Sequence, residues 1–224
     1  MFNPDAFHDI ETIRHELSGS FVLIRNALEP AVAEELYSCL QGSDCWDSED
    51  ESIFNGKRRG DYSYNRLTID MTRATTPEPV RNFYKFLNSR STLDMMEKIS
   101  NRTCSHFSGT VAAYREGHYL KSHNDLYSEQ KDDGTTLTRS VTFNYMLTKD
   151  WNPQMGGQFV WENPLTSVNP EFNSLVMFLV GPYSHHHVTP VTGCGDNIRL
   201  AITGWFVTCR EANSYSSSLN LDFL

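Results

Sequence analysis

Arg139-Ser140-Val141-Thr142-Phe143-Asn144-Tyr145-Met146-Leu147 is the stretch on which the fold turns. Val141, Phe143, Tyr145 and Leu147 are apolar, whereas Ser140, Thr142 and Asn144 are polar. Side chains alternate across a strand, so this pattern sets an apolar face against one layer and a polar face on the other side. A polar face in the middle of a compact β-structure lines solvent or a pocket.

Working outward, short apolar or alternating runs punctuated by Gly, Pro, Asn and Asp follow one another after Asn101. They predict strands at Thr110 to Arg115, His118 to Ser122, Thr138 to Leu147, Gly157 to Glu162, Leu175 to Val180, His185 to Val191 and Ile198 to Thr208. The first hundred residues read differently. A short helix is predicted over residues 5 to 17 and a strand from Phe21 to Leu28. A helix entered at Pro30 carries Val32, Leu36, Cys39 and Leu40. Asp44 to Arg59, acidic and then basic, reads as a loop. A helix near Pro77 and Pro79 carries Val80, Phe83, Tyr84 and Leu87, and another spans about Leu93 to Ile99. Helices first and strands afterwards imply a mainly β fold, a sandwich or barrel buttressed by an N-terminal helical layer. With 224 residues and no visible repeat, we expect one domain over 1–224, with helical support in 1–100 and a β core in 103–208. The Ser-rich tail after Arg210 reads as weakly ordered.

Composition removes several functional classes. The net charge of -9 disfavours nucleic-acid partners. No apolar run approaches the ~18 residues of a membrane span, and Asp5, His8, Asp9, Glu11 and Arg14 occupy the place of a signal sequence's apolar core. Cys39, Cys45, Cys104, Cys194 and Cys209 are odd in number and contain no Cys-x-x-Cys pair. That argues against a disulfide framework or a zinc site and for a reducing, cytoplasmic setting. Cys104 and Cys209 read as buried small apolar residues.

The chemistry-bearing residues come in a definite order: His123-x-Asp125, then His185-His186-His187, then Arg199 inside Arg-Leu-Ala-Ile-Thr-Gly-Trp. Two histidines and one carboxylate can occupy one face of an octahedral metal, the facial triad of non-heme Fe(II) oxygenases. His123 and Asp125 point the same way if both lie on a strand. Within the triplet, His186 shares its parity with Val188 and Pro190, which favours it as the inward residue. Arg199 stands among Leu200, Ala201 and Ile202. A buried guanidinium there needs a partner, either an acidic residue of the protein or the carboxylate of a cosubstrate such as 2-oxoglutarate. Two further features have a plainer reading: Lys57-Arg58-Arg59 as a solvated loop, and Gly156-Gly157 as the turn that enters a strand.

The run Tyr114-Arg-Glu-Gly-His-Tyr-Leu-Lys-Ser-His123-Asn-Asp125 resembles the first metal motif of the prolyl 4-hydroxylase-type Fe(II)/2-oxoglutarate oxygenases. Arg139 to Trp151 with Gly156-Gly157, His186-His-Val188-Thr-Pro190 and Arg199 to Phe206 are similar to that family's following strands. The resemblance covers roughly Thr110 to Val207. Its nearest flavour is that of the prolyl hydroxylases of a ribosomal protein, whose second, inactive barrel this chain is too short to hold. It implies a double-stranded β-helix of jelly-roll, cupin-like form. It further implies Fe(II) on His123, Asp125 and His186, and 2-oxoglutarate as cosubstrate with its distal carboxylate on Arg199. Tyr114 falls one position from the family's assisting tyrosine. Asn144 and Met146 face inward, Met146 where some relatives carry a second cosubstrate tyrosine, and Trp205 walls the pocket. Molecular oxygen is the other reactant and ascorbate a candidate auxiliary reductant. The substrate, a protein, peptide or small molecule, is hydroxylated at a C–H bond. Asp125 argues against halogenation, because related halogenases lack this carboxylate. The substrate's identity and the oligomeric state stay open. A cupin-like isomerase or hydrolase without 2-oxoglutarate, in which Arg199 is structural, and a non-catalytic binding barrel are the competing readings.

Overall fold

The computed structural model describes residues 1–50 and 64–211, so Lys57-Arg58-Arg59 and the tail from residue 212 lie outside the described residues. A 3-10 turn (Pro4–Phe7) leads into α1 (Ile10–Gly19), followed by β1 (Phe21–Arg25) and α2 (Pro30–Gln41). The single helix expected over 5 to 17 is therefore split. The Asp9 carboxylate accepts from the Thr12 backbone N–H at 3.0 Å and starts a new helix there. Next come β2 (Asp47–Asp50) and β3 (Tyr64–Asp70). β2 corrects the reading of Asp44 to Arg59 as loop at Asp47–Asp50, residues 51–59 lying outside the described residues, and β3 was not foreseen. The two pair antiparallel, Asp47 opposite Thr68, so a partner strand supplies what the acidic composition of β2 does not. α3 (Glu78–Leu87) and α4 (Arg90–Ser100) complete the helical layer. Ser89 caps α4 and Asn101 closes it in the left-handed conformation.

The β core runs β4 (His106–Tyr114), β5 (Tyr119–His123), β6 (Ser128–Gln130), β7 (Thr136–Met146), β8 (Phe159–Glu162), β9 (Leu165–Val168), β10 (Ser174–Leu179), β11 (His186–Val188) and β12 (Arg199–Arg210). Neighbouring strands follow the order β1-β10-β7-β12-β4-β3-β5-β11-β8-β9, all antiparallel, with β2 against β3 and β6 against β7. The expected mainly β architecture with an N-terminal helical layer is what forms.

β7 behaves as its alternation predicts. Val141, Phe143, Tyr145 and Leu147 enter the main core with Val80, Phe83 and Leu87 of α3 and with Leu200, Ile202 and Phe206 of β12. Phe143 lies 5.7 Å from the Phe107 ring and 6.0 Å from Phe206, distances typical of paired aromatics. Burying each such side chain contributes roughly 1.5–3 kcal/mol, which is why this face fixes the register. The opposite faces of β7 and β12 are left to look into the barrel. A second apolar cluster, with Met146, Phe159, Trp161, Val176 and Phe178, closes one side of the interior. Cys104 is buried as expected, but Cys209 is exposed, near the end of β12. All five cysteines are free thiols. No helix among the described residues is long and apolar enough to cross a membrane.

Candidate active site

The interior holds a cavity of about 750 Å³ lined by residues of β3, β4, β5, β7, β8, β10, β11 and β12. All seven residues singled out for a site (Tyr114, His123, Asp125, Asn144, His186, Arg199 and Trp205) line it.

His123 is the last residue of β5, and His186, the first of β11, is its direct antiparallel partner. Their rings approach to 4.2 Å between centroids. Asp125 does not extend the strand as the two-residue spacing supposed. β5 ends at His123, and Asp125 sits in the segment that follows. It still turns inward, with Oδ1 3.4 Å from His123 Nε2 and Oδ2 3.8 Å from His186 Nε2. One potential ligand atom from each of the three residues falls within 4.8 Å of the others. The Nδ1 atoms of both histidines face backbone carbonyls, His123 that of Lys121 at 2.8 Å and His186 that of Ser184 at 2.9 Å. An Nδ1–H donated to a carbonyl fixes the tautomer and leaves the Nε2 lone pair facing the centre, the usual support of a metal-binding histidine.

Electrostatics prepare His186 and Asp125. Burial, opposed by the Asp125 charge and reinforced by His123, lowers the His186 pKa to about 4, so its imidazole is neutral at ordinary pH. Burial would raise the Asp125 carboxyl. Contact with the His123 imidazole at 3.4 Å and with His186 at 3.8 Å outweighs it and holds the group well below the usual carboxylate range. Thr142 donates to Asp125 Oδ2 at 2.8 Å from the inward face of β7. The residues thus fit a divalent cation: two imidazoles and one carboxylate on one side, with the cavity on the other.

His185 and His187, on the opposite parity, turn away. His187 Nδ1 meets Glu162 Oε1 at 2.8 Å, and His185 Nε2 lies 3.4 Å from Asn124 Nδ2. The strand expected over His185 to Val191 is shorter, His186–Val188, yet its inward parity is as read.

Arg199 opens β12 opposite Tyr114 of β4. It is 1% exposed, and among the described residues no acidic side chain bridges it. Its Nε donates to the Gly157 carbonyl at 2.6 Å, its Cζ stands 4.7 Å from the Tyr114 ring centroid, and one terminal nitrogen (NH2) has no hydrogen-bond partner. A buried donor left unpaired costs about 1–3 kcal/mol or more, so this atom is set for a ligand oxygen. The reading of Arg199 as one half of an internal salt bridge loses its support.

Two contributors escaped the sequence reading. Thr142 was visible only as part of a polar face, with no sign that Asp125 was its partner. Gly157 was read as a turn, but it also makes room for Arg199. Its φ is +66°, and a Cβ there would stand 3.0 Å from Arg199 Cδ and 3.3 Å from Trp151. Trp205 walls the cavity, its indole N–H favouring the charged form of Asp125 without forming a regular hydrogen bond. The Arg139 guanidinium stacks on its ring, 3.4 Å from the centroid, and also faces Tyr127 at 4.8 Å. Asn144 lines the cavity, whereas Met146 is absorbed into the second apolar cluster.

The profile of the 2OG-Fe(II) oxygenase superfamily matches residues 109–207, the segment that supplies every one of these side chains. This chain carries a 2OG-Fe(II) oxygenase domain. It is therefore a dioxygenase that works with Fe(II) and 2-oxoglutarate. Solved structures share its fold. A prolyl-4-hydroxylase from Pseudomonas putida is 20% identical, with 88% of this chain and 98% of that one covered at a TM-score of 0.65. A prolyl hydroxylase from Trichoplax adhaerens, in complex with a hypoxia inducible factor oxygen degradation domain peptide, is 21% identical over 88% of each chain, at 0.64. The viral collagen prolyl hydroxylase of Paramecium Bursaria Chlorella virus-1 is 15% identical over 85% of this chain and 97% of that one, at 0.52. Their common architecture is the double-stranded β-helix.

Proposed function

We propose that His123, Asp125 and His186 hold Fe(II), that Arg199 with Tyr114 holds the distal carboxylate of 2-oxoglutarate, and that the oxygenase hydroxylates a prolyl residue of a peptide. The observation that carries the reading is the unpaired NH2 nitrogen of a fully buried Arg199, opening on the same cavity as the two histidines and the carboxylate. An isomerase or hydrolase without 2-oxoglutarate would leave that charge without a purpose.

Fe(II) and 2-oxoglutarate, when bound, couple oxygen reduction and decarboxylation (2-oxoglutarate + O2 + R–H giving succinate, CO2 and R–OH) to oxidation of a C–H bond. The chain's own work is orientation. Gly157 pins Arg199 through Nε, so the remaining planar fork keeps one direction. Thr142 and the two backbone carbonyls fix the Asp125, His123 and His186 side chains before any ligand arrives. Phe159 and Phe178 pack against the His186 ring at 5.5 and 4.7 Å and keep water from that side of the metal position. A peptide substrate is favoured by the exposed Leu126 and Tyr127 beside Asp125 at the cavity rim, which offer apolar surface to an extended chain. The peptide bound by the Trichoplax adhaerens neighbour adds to this. A cytoplasmic setting is supported by five free thiols, one of them exposed.

The test is succinate release from 2-oxoglutarate with Fe(II) over a panel of proline-containing peptides, matched peptides lacking proline and free amino acids, followed by mass spectrometry of the products. Substrate-stimulated turnover with a single-oxygen mass gain on a prolyl residue is the expected result. A gain on non-prolyl products alone would transfer the activity to another substrate, and no 2-oxoglutarate consumption with any of them would refute the reading.

A further inference from the structure

Arg199 is not the only guanidinium at its end of the cavity. β4 lies between β12 and β3, and Ala113 is the register partner of both Leu200 and Leu67. Those three side chains belong to the core side of the sheet. Strand alternation therefore turns the next row, Arg199, Tyr114 and Arg66, to the opposite face, and all three line the cavity. Tyr114 is thus flanked by an arginine on each neighbouring strand. Nothing in the sequence marked Arg66, because the strand that carries it was not foreseen.

We propose that Arg66 is a second cosubstrate-positioning residue, sharing with Arg199 the distal carboxylate of 2-oxoglutarate across the Tyr114 ring. A carboxylate bound between the two guanidinium groups meets both of them at once. Among the described residues, Asp125 is the only acidic side chain lining the cavity, and it lies with the histidines. The two guanidinium groups feel each other: burial is the main influence lowering the Arg199 pKa, and the Arg66 charge lowers it further. Arg66 is half-buried and makes contacts of its own. A guanidinium carries five donors in a fixed fork, so one contact with the protein leaves others for a ligand. The division of labour follows from depth. Arg199, fully buried and tied to Gly157, sets the position, while Arg66, nearer solvent, adds charge and closes over the bound carboxylate.

This proposal rests on the reading of Arg199 as the carboxylate's partner, and the test keeps the two apart. Binding is measured calorimetrically on the Mn(II)-loaded full chain without turnover, for 2-oxoglutarate and for 2-oxopentanoate. The latter has the same chain length and the same chelating end but no distal carboxylate. Arg66→Gln is expected to weaken 2-oxoglutarate about tenfold, the loss of one charge-assisted contact, and to leave 2-oxopentanoate unchanged. Arg66→Lys should recover part of the loss. Equal weakening of both ligands, or no change in either, overturns the role of Arg66. If 2-oxopentanoate binds too weakly to read, Mn(II) affinity becomes the reference that the substitution must leave untouched. An Arg199→Ala variant run alongside separates the readings. Loss of 2-oxoglutarate selectivity there but not in Arg66→Gln sinks only the second arginine, whereas no loss in Arg199→Ala sinks the carboxylate site itself.

Discussion

Replacing Thr142 by valine keeps the volume, the β-branch and the strand preference of the side chain, and removes one hydroxyl. That hydroxyl donates to Asp125 Oδ2 at 2.8 Å in a buried setting. A hydrogen bond to a charged acceptor contributes about 1.5–3 kcal/mol. At about 1.4 kcal/mol per tenfold, Mn(II) or Fe(II) affinity should fall by roughly ten- to a hundredfold, the range in which lost supports of metal ligands are known to act. The assay is a metal titration under anaerobic conditions, with thermal melting of the metal-free protein as the check on folding. Thr142→Ser, which keeps the donor, should stay within about threefold of the parent. A folded valine variant that binds metal within about twofold of the parent would mean that Asp125 needs no support from β7, and the argument from fixed ligands would fail.

Other substitutions probe the remaining parts. His186→Ala should abolish metal-dependent turnover while His185→Ala and His187→Ala retain much of it; a dead His187→Ala variant beside an active His186→Ala would put the inward parity one residue off. Gly157→Ala places a methyl 3.0 Å from Arg199 Cδ at a φ of +66°, a conformation costing a non-glycine residue about 1–2 kcal/mol. It should raise the Kd for 2-oxoglutarate at least tenfold with little change for metal, and equal affinity for 2-oxoglutarate would show that Arg199 does not depend on that space. Metal-free protein should lose stability as pH falls from 7 to 5. His186, with a folded pKa of about 4 against about 6.5 when unfolded, binds its proton more readily in the unfolded chain over that interval, and His106 and His118 are lowered by burial in the same direction. The melting temperature should drop less steeply in His186→Asn, and an identical slope in the two proteins would remove His186 as a source.

Much of this was legible because one physical rule, the alternation of side chains across a strand, governs both core and site. The odd positions of β7 gave the core, the even ones the cavity wall, and the parity of Val188 picked His186 out of three histidines. Legibility ended where partners come from far along the chain. β2 and β3 have little periodicity of their own and exist by pairing with each other and with β4, so Arg66 had no place in the expected site. Asp125 reaches the cavity from beyond the end of β5, where strand geometry says nothing about direction. Gly157 was correctly read as a turn, but no local pattern reveals that a side chain from residue 199 passes over it. Cys209 was misjudged because a small apolar side chain near the end of a long strand, between Thr208 and Arg210, is not assured of cover.

The cross-strand pairing of His123 with His186 has a consequence for how such a chain tolerates insertions and deletions. A gained or lost residue in the segment between β10 and β11 shifts the second strand by one position, a change that ordinarily turns every side chain to the wrong face. Here the neighbours on both sides are also histidines, so a slip in either direction brings an imidazole round to face His123. The triplet thus keeps an imidazole opposite His123 through a change of length in that connection.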